Sequence, residues 1–438
     1  LITGQFLVLK NGRFIYIPSV LLSILYKQPL YVIIILSKNQ KRWLFMYLVY
    51  NKIDTVVNKF RDYFSNFCNS KTLLNFLPEF FCSLIDAEST TTSKISLSLF
   101  NSINDSINLD SHSKRIYRFL HNSKYNIHSL FDAIVIDVLS RFKLSHSDRN
   151  IHISFDHMYD KCNFTVLMFT LRIGKQGVPI YFEVFKGSDK EGHGDAFKNK
   201  NIKKGILYCH KLIKSVIPDA HIIFLADRWF GNLFPLMQYI DSLGDVFVFR
   251  CKQNLKVFYK KYPEKHKIWI PITELPHLVH ASKLYTNLEF TRKKYVFNLA
   301  YCKSKDHKEA WLLITNGNPR LAKAHYGYRF GSIEFLFKSQ KTNGFYLEEC
   351  GIKKIHAFRN LYALICIANI YLTCLGTDVS KNSKCYKNIG IVITRKNSKT
   401  NNRYRVISRF RTGLILFKMA INCKRRFRLP ITFTLYDT

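Results

Sequence analysis

The chain has 438 residues, 47% of them hydrophobic and 22% charged, so it is long enough for two or three domains and is not a wholly disordered protein. Lysine and arginine number 67 against 30 acidic residues, which leaves a formal net charge of +37. An excess of this size opposes folding by self-repulsion, and its commonest purpose is a polyanionic partner, either a nucleic acid or a membrane surface. An acidic small-molecule substrate would need only a local basic pocket.

Eleven cysteines lie singly along the chain, and no Cys-x-x-Cys pair occurs. This spacing argues against a disulfide framework and against a structural zinc site, and it predicts free thiols in a reducing cytoplasm. Residues 17–37 are apolar but are interrupted by Pro18, Lys27 and Pro29, so they match neither a spanning helix nor a signal peptide. Residues 361–375 are apolar on every side and predict a buried core helix. We therefore expect no membrane segment.

The N-terminal part divides at Met46, the first methionine of a chain that begins with Leu1. We expect residues 1–45 to be an extension that the protein can lose and still fold. Residues 46–149 alternate helical patterns with polar stretches and predict a helical DNA-binding region. Within it, residues 113–122 read SKRIYRFLHN, a basic helical segment that suits either a small DNA-binding bundle or a solvated amphipathic face.

From residue 150 the pattern changes to strands. The segments NIHISFDHM, NFTVLMFTLRIG and GVPIYFEVFKG predict three strands, of which the last two form a hairpin. A helical pattern follows, then the buried strand HIIFLAD, the helix NLFPLMQYIDSLG and the strand DVFVFRCK. The order β-β-β-α-β-α-β predicts an α/β layer with a mixed sheet over residues 150–250.

Residues 251–310 contain short strand-like pieces and no strong helical pattern, which predicts a β-rich insertion. Residues 311–376 return to a buried strand and then to a helix that we expect to start near Ser332 and to stop at Gly344. Residues 377–438 form a basic C-terminal region, with a cluster of cations at Lys424, Arg425, Arg426 and Arg428.

Three carboxylates lie where phosphodiester chemistry could use them. Asp156 and Asp227 each end a predicted central strand, and ligand sites of α/β sheets lie beyond strand ends. Glu334 falls in the first turn of the expected last helix. Cleavage by two metal ions needs carboxylates that hold the ions about 3.5–4 Å apart. A single strand-end aspartate is more often a turn residue, so it is the set of three that favours a metal site.

Three further patterns have an ordinary explanation. Lys338 and Lys341 share a helical face with Glu334, as in an exposed Glu–Lys ladder that contributes about 0.2–0.5 kcal/mol per pair. The segment DKEGHGD could imitate a metal site, but glycines and charges together are more typical of an exposed loop; its candidate ligands are Glu191, His193 and Asp195. Trp269 could stack on a flipped base, although a half-buried core position explains it better.

Three segments, ISFDHM, IIFLADRWFGN and HYGYRFGSIEFLFKSQKTNGFYLEE, resemble the catalytic blocks of bacterial insertion-sequence DDE transposases. They are most similar to the group with a Tyr-Arg-Glu-Lys (YREK) signature around the catalytic glutamate. The resemblance runs from about residue 150 to 376 and implies an RNase H-like catalytic core, interrupted before its last helix by a β-rich insertion. The layout predicted above from the residues alone is the same.

Carried over residue by residue, the resemblance makes Asp156, Asp227 and Glu334 the catalytic residues and the ligands of two Mg²⁺ (or Mn²⁺) ions. The signature lysine is Lys341, seven residues after Glu334. The family's arginine lies four residues before the glutamate, where this chain has Phe330.

The nearest arginine is therefore Arg329, and the signature tyrosine is Tyr326 or, because of the extra residue, Tyr328. The resemblance implies that the arginine and the lysine grip phosphates near the cleavage site, a role that suits cations better than that of a neutral base. Arg228 and Lys338 are expected to join them in binding DNA.

The expected function is that of a bacterial cytoplasmic, nucleoid-associated DNA transposase. It would nick the terminal inverted repeats of an insertion sequence and join the freed 3′-hydroxyls to target DNA, as a homodimer or larger synaptic complex. Two alternatives stay open. One is a nuclease on the same core that hydrolyses DNA without strand transfer, and the other is an inactive relative that only binds DNA.

Overall fold

The computed structural model describes residues 4–8, 14–18, 31–33, 47–49, 52–102, 107–142, 149–160, 163–174, 176–187, 194–258, 269–275, 283–291, 295–303, 309–381, 394–396, 403–422, 431 and 433–434. Within these ranges the chain is a mixed α/β protein built around one large mixed sheet. Before the first helix lie two short antiparallel strand pairs, β1 (Gly4–Val8) with β2 (Phe14–Pro18) and β3 (Tyr31–Ile33) with β4 (Tyr47–Val49). The cation cluster of residues 424–428 falls outside the described residues, as do Glu191 and His193.

Six helices follow between residues 52 and 140: α1 (Lys52–Ser65), α2 (Lys71–Leu74), α3 (Leu77–Ala87), α4 (Thr92–Ser102), α5 (Leu109–His121) and α6 (Ile127–Ser140). Asparagine side chains start the last two helices. Asn108 accepts from the backbone N–H of Ser111 at 2.8 Å, and Asn126 accepts from that of Ser129 at 3.1 Å. Each cap satisfies a backbone donor that the first turn of a helix leaves without a partner.

The central sheet has ten strands in the spatial order β11-β10-β12-β13-β14-β9-β8-β5-β6-β7. Their bounds are β5 (Asn150–Asp160), β6 (Phe164–Ile173), β7 (Gln176–Lys186), β8 (His221–Ala226), β9 (Val246–Arg250), β10 (Lys256–Phe258), β11 (Trp269–Pro271), β12 (Lys283–Phe290), β13 (Tyr295–Cys302) and β14 (Trp311–Thr315). Strands β5, β8 and β9 are parallel to one another, and every other neighbouring pair is antiparallel. The predicted order β-β-β-α-β-α-β from residue 150 is confirmed. The strands of the expected β-rich insertion extend this same sheet beyond β14.

Two helices connect the parallel strands, α7 (Asn199–Val216) before β8 and α8 (Phe234–Ser242) before β9. Strand side chains alternate between the two faces of the sheet, and each face has its own apolar cluster. Phe155, Phe224 and Phe249 belong to the larger cluster. Ile223 and Leu225 belong to the smaller one, which includes Tyr326 of the next helix.

That helix, α9, runs from Pro319 to Lys341, so the expectation that it starts near Ser332 is wrong. Asn318 caps it by accepting from the N–H of Arg320 at 3.0 Å, and a proline follows at the first helical position. Ser332 is a fully buried mid-helix residue. Glu334 therefore lies in the second half of a long helix and not in its first turn, and Gly344 lies beyond the last helical residue.

A second long helix, α10 (Ile355–Lys381), passes through the core and packs against α11 (Arg409–Asn422). Two short strands lie between them, β15 (Thr394–Lys396) and β16 (Arg403–Arg405). Among the described helices, α10 is the one long and apolar enough to cross a membrane by composition, and that window is entirely buried by the rest of the fold. The prediction of a buried core helix over residues 361–375 is confirmed. None of the eight described cysteines forms a disulfide.

Candidate catalytic site

Three polar side chains alternate along one face of β5, and each contacts α9. His152 Nε2 shares a hydrogen bond with His325 Nδ1 at 2.9 Å, and Ser154 Oγ shares one with Ser332 Oγ at 2.8 Å. Asp156, the next residue on this face, is ion-paired with Arg329. Asp156 does not end its strand, as the sequence suggested, because β5 continues to Asp160. It projects from the middle of the strand toward α9.

Small side chains let α9 lie close to the sheet. Ser154 and Ser332 are both fully buried at the contact. Gly177 on β7 faces the same turn of the helix, and a Cβ atom at Gly177 would stand 2.6 Å from the carbonyl oxygen of Ser332. A larger side chain at this point would hold the helix away from the sheet. The position of Glu334, two residues further along α9, depends on this close approach.

Asp227 follows the last residue of β8, on the strand next to Asp156. The parallel register pairs Ser154 with Leu225, and continuing it by two residues brings Asp156 level with Asp227. Neighbouring strands are about 4.8 Å apart. Asp227 Oδ1 accepts from the backbone N–H of Trp229 at 2.9 Å, which fixes the turn after the strand. Gly231 keeps this turn against β9, where an added Cβ would stand 2.0 Å from the carbonyl oxygen of Arg250.

Arg329 joins carboxylates of two different elements. Its Nη2 donates to Oδ2 of Asp156, and its Nη1 donates to Oε1 of Glu334 at 2.9 Å. The arginine side chain is only 6% exposed, whereas Glu334 is 49% exposed. The third nitrogen of the guanidinium, Nε, is buried and has no hydrogen-bond partner among the described residues. The two carboxylates are thus held on either side of one cation.

The pKa of Asp156 depends on its burial and on the charges around it. Burial is the main reason that the pKa of the Asp156 carboxyl rises to about 7; Arg329 and the N–H of His157 oppose the rise, and the nearby Asp227 and Glu334 carboxylates add to it. Asp156 and Glu334 share Arg329, and the strand register brings Asp227 level with Asp156, so the three carboxylates lie in one neighbourhood. Additional positive charge nearby would therefore stabilise the ionised form of the Asp156 carboxyl.

His157 points away from this cluster, to the other face of β5. Its Nε2 lies 3.0 Å from the carbonyl oxygen of Ala196, and its ring stacks on Phe230 with ring centroids 5.2 Å apart. Burial lowers the pKa of His157 to about 4, so the imidazole is neutral at pH 7. It supports the backbone beneath Asp156 and Asp227 by packing.

The two candidate signature tyrosines occupy different environments. Tyr326 is 1% exposed and packs against Trp311 and Phe330, and burial raises the pKa of its hydroxyl to about 12. Tyr328 is half-buried, with the guanidinium of Arg172 3.5 Å from its ring centroid. In this structure Tyr326 supports the site from the core. Contact of either tyrosine with DNA stays a prediction.

The other predicted DNA contacts lie around the cluster. Lys338 is exposed on α9, where it lines a cleft of about 320 Å³ together with Phe335, Tyr346 and Arg411. Lys341 faces Glu348 at 3.6 Å.

Arg228 pairs with Glu309 at 2.8 Å, and Arg250 of β9 reaches the same carboxylate at 3.0 Å. Of the predicted DNA contacts, Lys338 and Lys341 lie on α9 with Glu334, and Arg228 directly follows Asp227. Their binding of DNA stays a prediction.

The donor set fits hard divalent cations, because carboxylate oxygens are the ligands that Mg²⁺ and Mn²⁺ prefer. Asp156, Asp227 and Glu334 are the residues that would hold such ions. Among the described residues, no group of three His, Cys, Asp or Glu side chains is arranged closely enough to hold one metal ion in common. Arg329 stands between Asp156 and Glu334 and donates to both.

The remaining sequence candidates lie elsewhere. Asp195 is exposed and pairs with Lys198 at 2.5 Å. Trp269 is half-buried at the outer end of the sheet, with its ring 5.9 Å from that of Phe258. Beyond Lys341, Glu348 and Glu349 form a single turn that pairs with Lys341 and Lys94.

Two sets of residues that shape the site were missed by the sequence analysis. His152 and Ser154 were visible as polar residues at every second position before Asp156, alternating with the apolar residues Ile151, Ile153 and Phe155. That alternation could have indicated a polar contact with a covering element. The direct pairing of Arg329 with two carboxylates gave no local signal, because Asp156 is 173 residues away from it.

No family model and no curated protein matches this sequence. The resemblance to DDE transposases therefore stays a prediction that depends on the residues and on their geometry.

Proposed function

We propose that this protein is a DNA transposase of the DDE type, with an RNase H-like catalytic core. The observation that carries the proposal is the convergence of Asp156, Asp227 and Glu334 around Arg329, at the level of the sheet where parallel strands β5 and β8 lie side by side. The chain leads from β5 to β6 on one side of this pair and from β8 to β9 on the other side. Ligand sites of open α/β sheets lie where the strand order reverses in this way.

The strand order supports the same fold. The strands β5 to β9 lie side by side in the order β7-β6-β5-β8-β9. Strands β5, β6 and β7 are antiparallel to their neighbours in this set of three, and β8 and β9 run parallel to β5. This is the arrangement expected of an RNase H-like core, with α9 as the helix that carries the third carboxylate. Strands β10–β13, inserted between β9 and β14, suit the interruption that the family resemblance implies.

The chemistry assigned to the site is the hydrolysis and joining of phosphodiester bonds. Two Mg²⁺ (or Mn²⁺) ions bound there would activate the attacking oxygen and stabilise the leaving oxygen. Asp156 and Asp227 would hold the ions from neighbouring strands, and Glu334 would close the site from α9. Arg329, Lys338 and Lys341 would bind phosphates on one side of the site, and Arg228 on the other.

A basic face in the N-terminal helical region supports duplex DNA as the partner. On α5 the exposed positions include Lys114, Tyr117 and Arg118, which share one side of the helix. Tyr117 is 55% exposed, and its ring stacks on that of His121 with the centroids 3.9 Å apart. Cations beside an exposed aromatic ring suit contacts to the backbone and bases of DNA, and the net charge of +37 suits a long duplex. Terminal inverted repeats and target DNA would be its substrates in the bacterial cytoplasm, bound by a dimer or larger complex.

The test is a joining assay with the full chain. Duplexes made from the DNA that flanks the coding region, with one 3′-hydroxyl end already exposed, are incubated with supercoiled plasmid and Mg²⁺ or Mn²⁺. We expect the duplex to become covalently attached to the plasmid. Cleavage of intact flanking duplex without any joining would identify the nuclease alternative. DNA binding with neither reaction would identify the inactive relative.

A further inference from the structure

The guanidinium of Arg329 occupies the space between two of the three carboxylates. It bonds Asp156 through one terminal nitrogen and Glu334 through the other, with the second bond 2.9 Å long. The guanidinium takes one oxygen of each carboxylate, Oδ2 of Asp156 and Oε1 of Glu334, and its positive charge fills the space in which a cation shared by the two would lie. The arginine and a divalent cation shared by Asp156 and Glu334 therefore exclude one another.

We propose that Arg329 is a positioning residue that takes the place of the divalent cation at this site and must leave Asp156 and Glu334 when the cation binds. The inference rests on the proposed function, because it assumes that these carboxylates bind metal. Arg329 holds the strand and the helix together by charge before metal arrives. Its withdrawal frees a phosphate-binding group at the moment when the site becomes competent.

Two features of the cluster suit a displaceable contact. Glu334 is 49% exposed and Asp156 is 22% exposed, so a cation from solvent can reach both carboxylates while Arg329 remains covered. The Nε of Arg329 has no partner among the described residues, so within them the guanidinium is anchored only through the two carboxylates that metal would take. A purely structural buried arginine would be expected to donate from that nitrogen as well.

The test measures Mn²⁺ binding to the full chain in the absence of DNA, by the electron paramagnetic resonance signal of free Mn²⁺. Replacement of Arg329 by Met removes the competing cation. If the arginine occupies the site nine times out of ten, the apparent affinity for Mn²⁺ should rise about tenfold in Arg329→Met. Arg329→Lys, with a single compact ammonium group, should give a smaller rise.

The matched control is Arg250→Met. Arg250 is a cation near the same site, 19% exposed, but its described partner is Glu309. If Arg329 acts by occupying the site, Arg250→Met should change Mn²⁺ affinity less than about twofold, because it leaves the carboxylates' oxygens as they were. Equal gains in both variants would show general electrostatics instead and would overturn the inference.

Unchanged or weaker Mn²⁺ binding by Arg329→Met would also overturn it. If that variant does not fold, as judged by its circular dichroism and melting curve, Arg329→Lys decides in the same way. Failure of the proposed function has a different signature: no variant, the wild type included, would bind Mn²⁺ in a manner that Asp156→Asn abolishes. Tight wild-type binding that depends on Asp156 but is indifferent to Arg329 would remove only the inference.

Discussion

Ser154 on the central strand β5 and Ser332 on helix α9 share a buried hydrogen bond of 2.8 Å, although 178 residues separate them in the sequence. The contact lies between the two places where the carboxylates of the site originate, since Asp156 and Glu334 each follow one of these serines by two positions. Each hydroxyl can donate and accept, so the pair satisfies both polar groups without water. The close packing of α9 on the sheet is thus directly coupled to the geometry of the site.

That packing predicts the effect of Gly177→Ala. The added Cβ would stand 2.6 Å from the carbonyl oxygen of Ser332, so α9 or β7 must shift. We expect a loss of about 1–3 kcal/mol in the free energy of unfolding, measured by denaturant titration. Gly327→Ala is the matched control, because that exposed glycine of α9 has open space around its Cβ position. Gly327→Ala should raise the free energy of unfolding by about 0.5–1 kcal/mol. Equal effects of the two substitutions would contradict the close contact.

Variants of the three carboxylates should lose DNA cleavage but keep DNA binding. Replacement of Asp156, Asp227 or Glu334 by Ala removes a charged metal ligand and should lower the rate of DNA cleavage by at least about a thousandfold. DNA binding should survive, because its affinity comes from cations elsewhere, and loss of a repelling carboxylate can tighten it. Cleavage is followed on labelled duplex, and binding by gel shift.

The control for this prediction is Glu349→Ala. Glu349 lies beyond α9 and pairs with Lys94 at 2.8 Å. Its replacement should leave cleavage close to the wild-type rate. Full cleavage by Glu334→Ala would remove Glu334 from the site.

The charge of the chain predicts a steep salt dependence of DNA binding. Each phosphate that a lysine or arginine neutralises adds about 0.9 to the slope of log affinity against log salt concentration. Lys338→Gln should therefore reduce the slope by about one, and Lys341→Gln should reduce it similarly. Lys211→Gln, on an exposed position of α7, serves as the comparison. A slope near zero in the wild type would refute the nucleic-acid hypothesis altogether.

The contact between the helical region and the sheet predicts a pH effect through His128 of α6. Its ring packs on Phe182 of β7 with centroids 4.6 Å apart, and burial, with a further contribution from Arg359, lowers its pKa to about 4 from the ordinary 6.5. The unfolded chain therefore takes up a proton at His128 between pH 6.5 and 4, while the folded chain does not. Stability that is present above pH 6.5 is lost as the pH falls through this window, by about 3 kcal/mol.

His128→Gln should remove this part of the pH dependence. Asp132, 3.8 Å from His128, has the opposite effect, because burial raises its pKa to about 6 and its contribution to stability is lost as the pH rises. The informative quantity is therefore the difference between the unfolding free energies of wild type and His128→Gln at each pH. A difference that does not change between pH 7 and pH 4 would contradict the burial of the neutral imidazole.

The sequence by itself determined the elements whose pattern is local. Alternation of apolar residues predicted the β-β-β-α-β-α-β order from residue 150, and uniform apolarity predicted the core helix over residues 361–375; both agree with the structure. Asp156 and Asp227 were singled out as strand-end aspartates; although β5 continues past Asp156 to Asp160, the parallel register of β5 and β8 still brings the two aspartates level with one another.

The tertiary structure alone decided the start of α9 and the partners of Arg329. The buried side of α9 carries Arg329, Ser332, Ser339 and Gln340, so no continuous apolar stripe marked the helix, and the cap at Asn318 was overlooked. A polar residue on a buried face is stable only because of what it meets there. Arg329 meets Asp156 from a strand 173 residues earlier, and Ser332 meets Ser154. Such partners are set by the packing of distant elements, which no local pattern in the chain encodes.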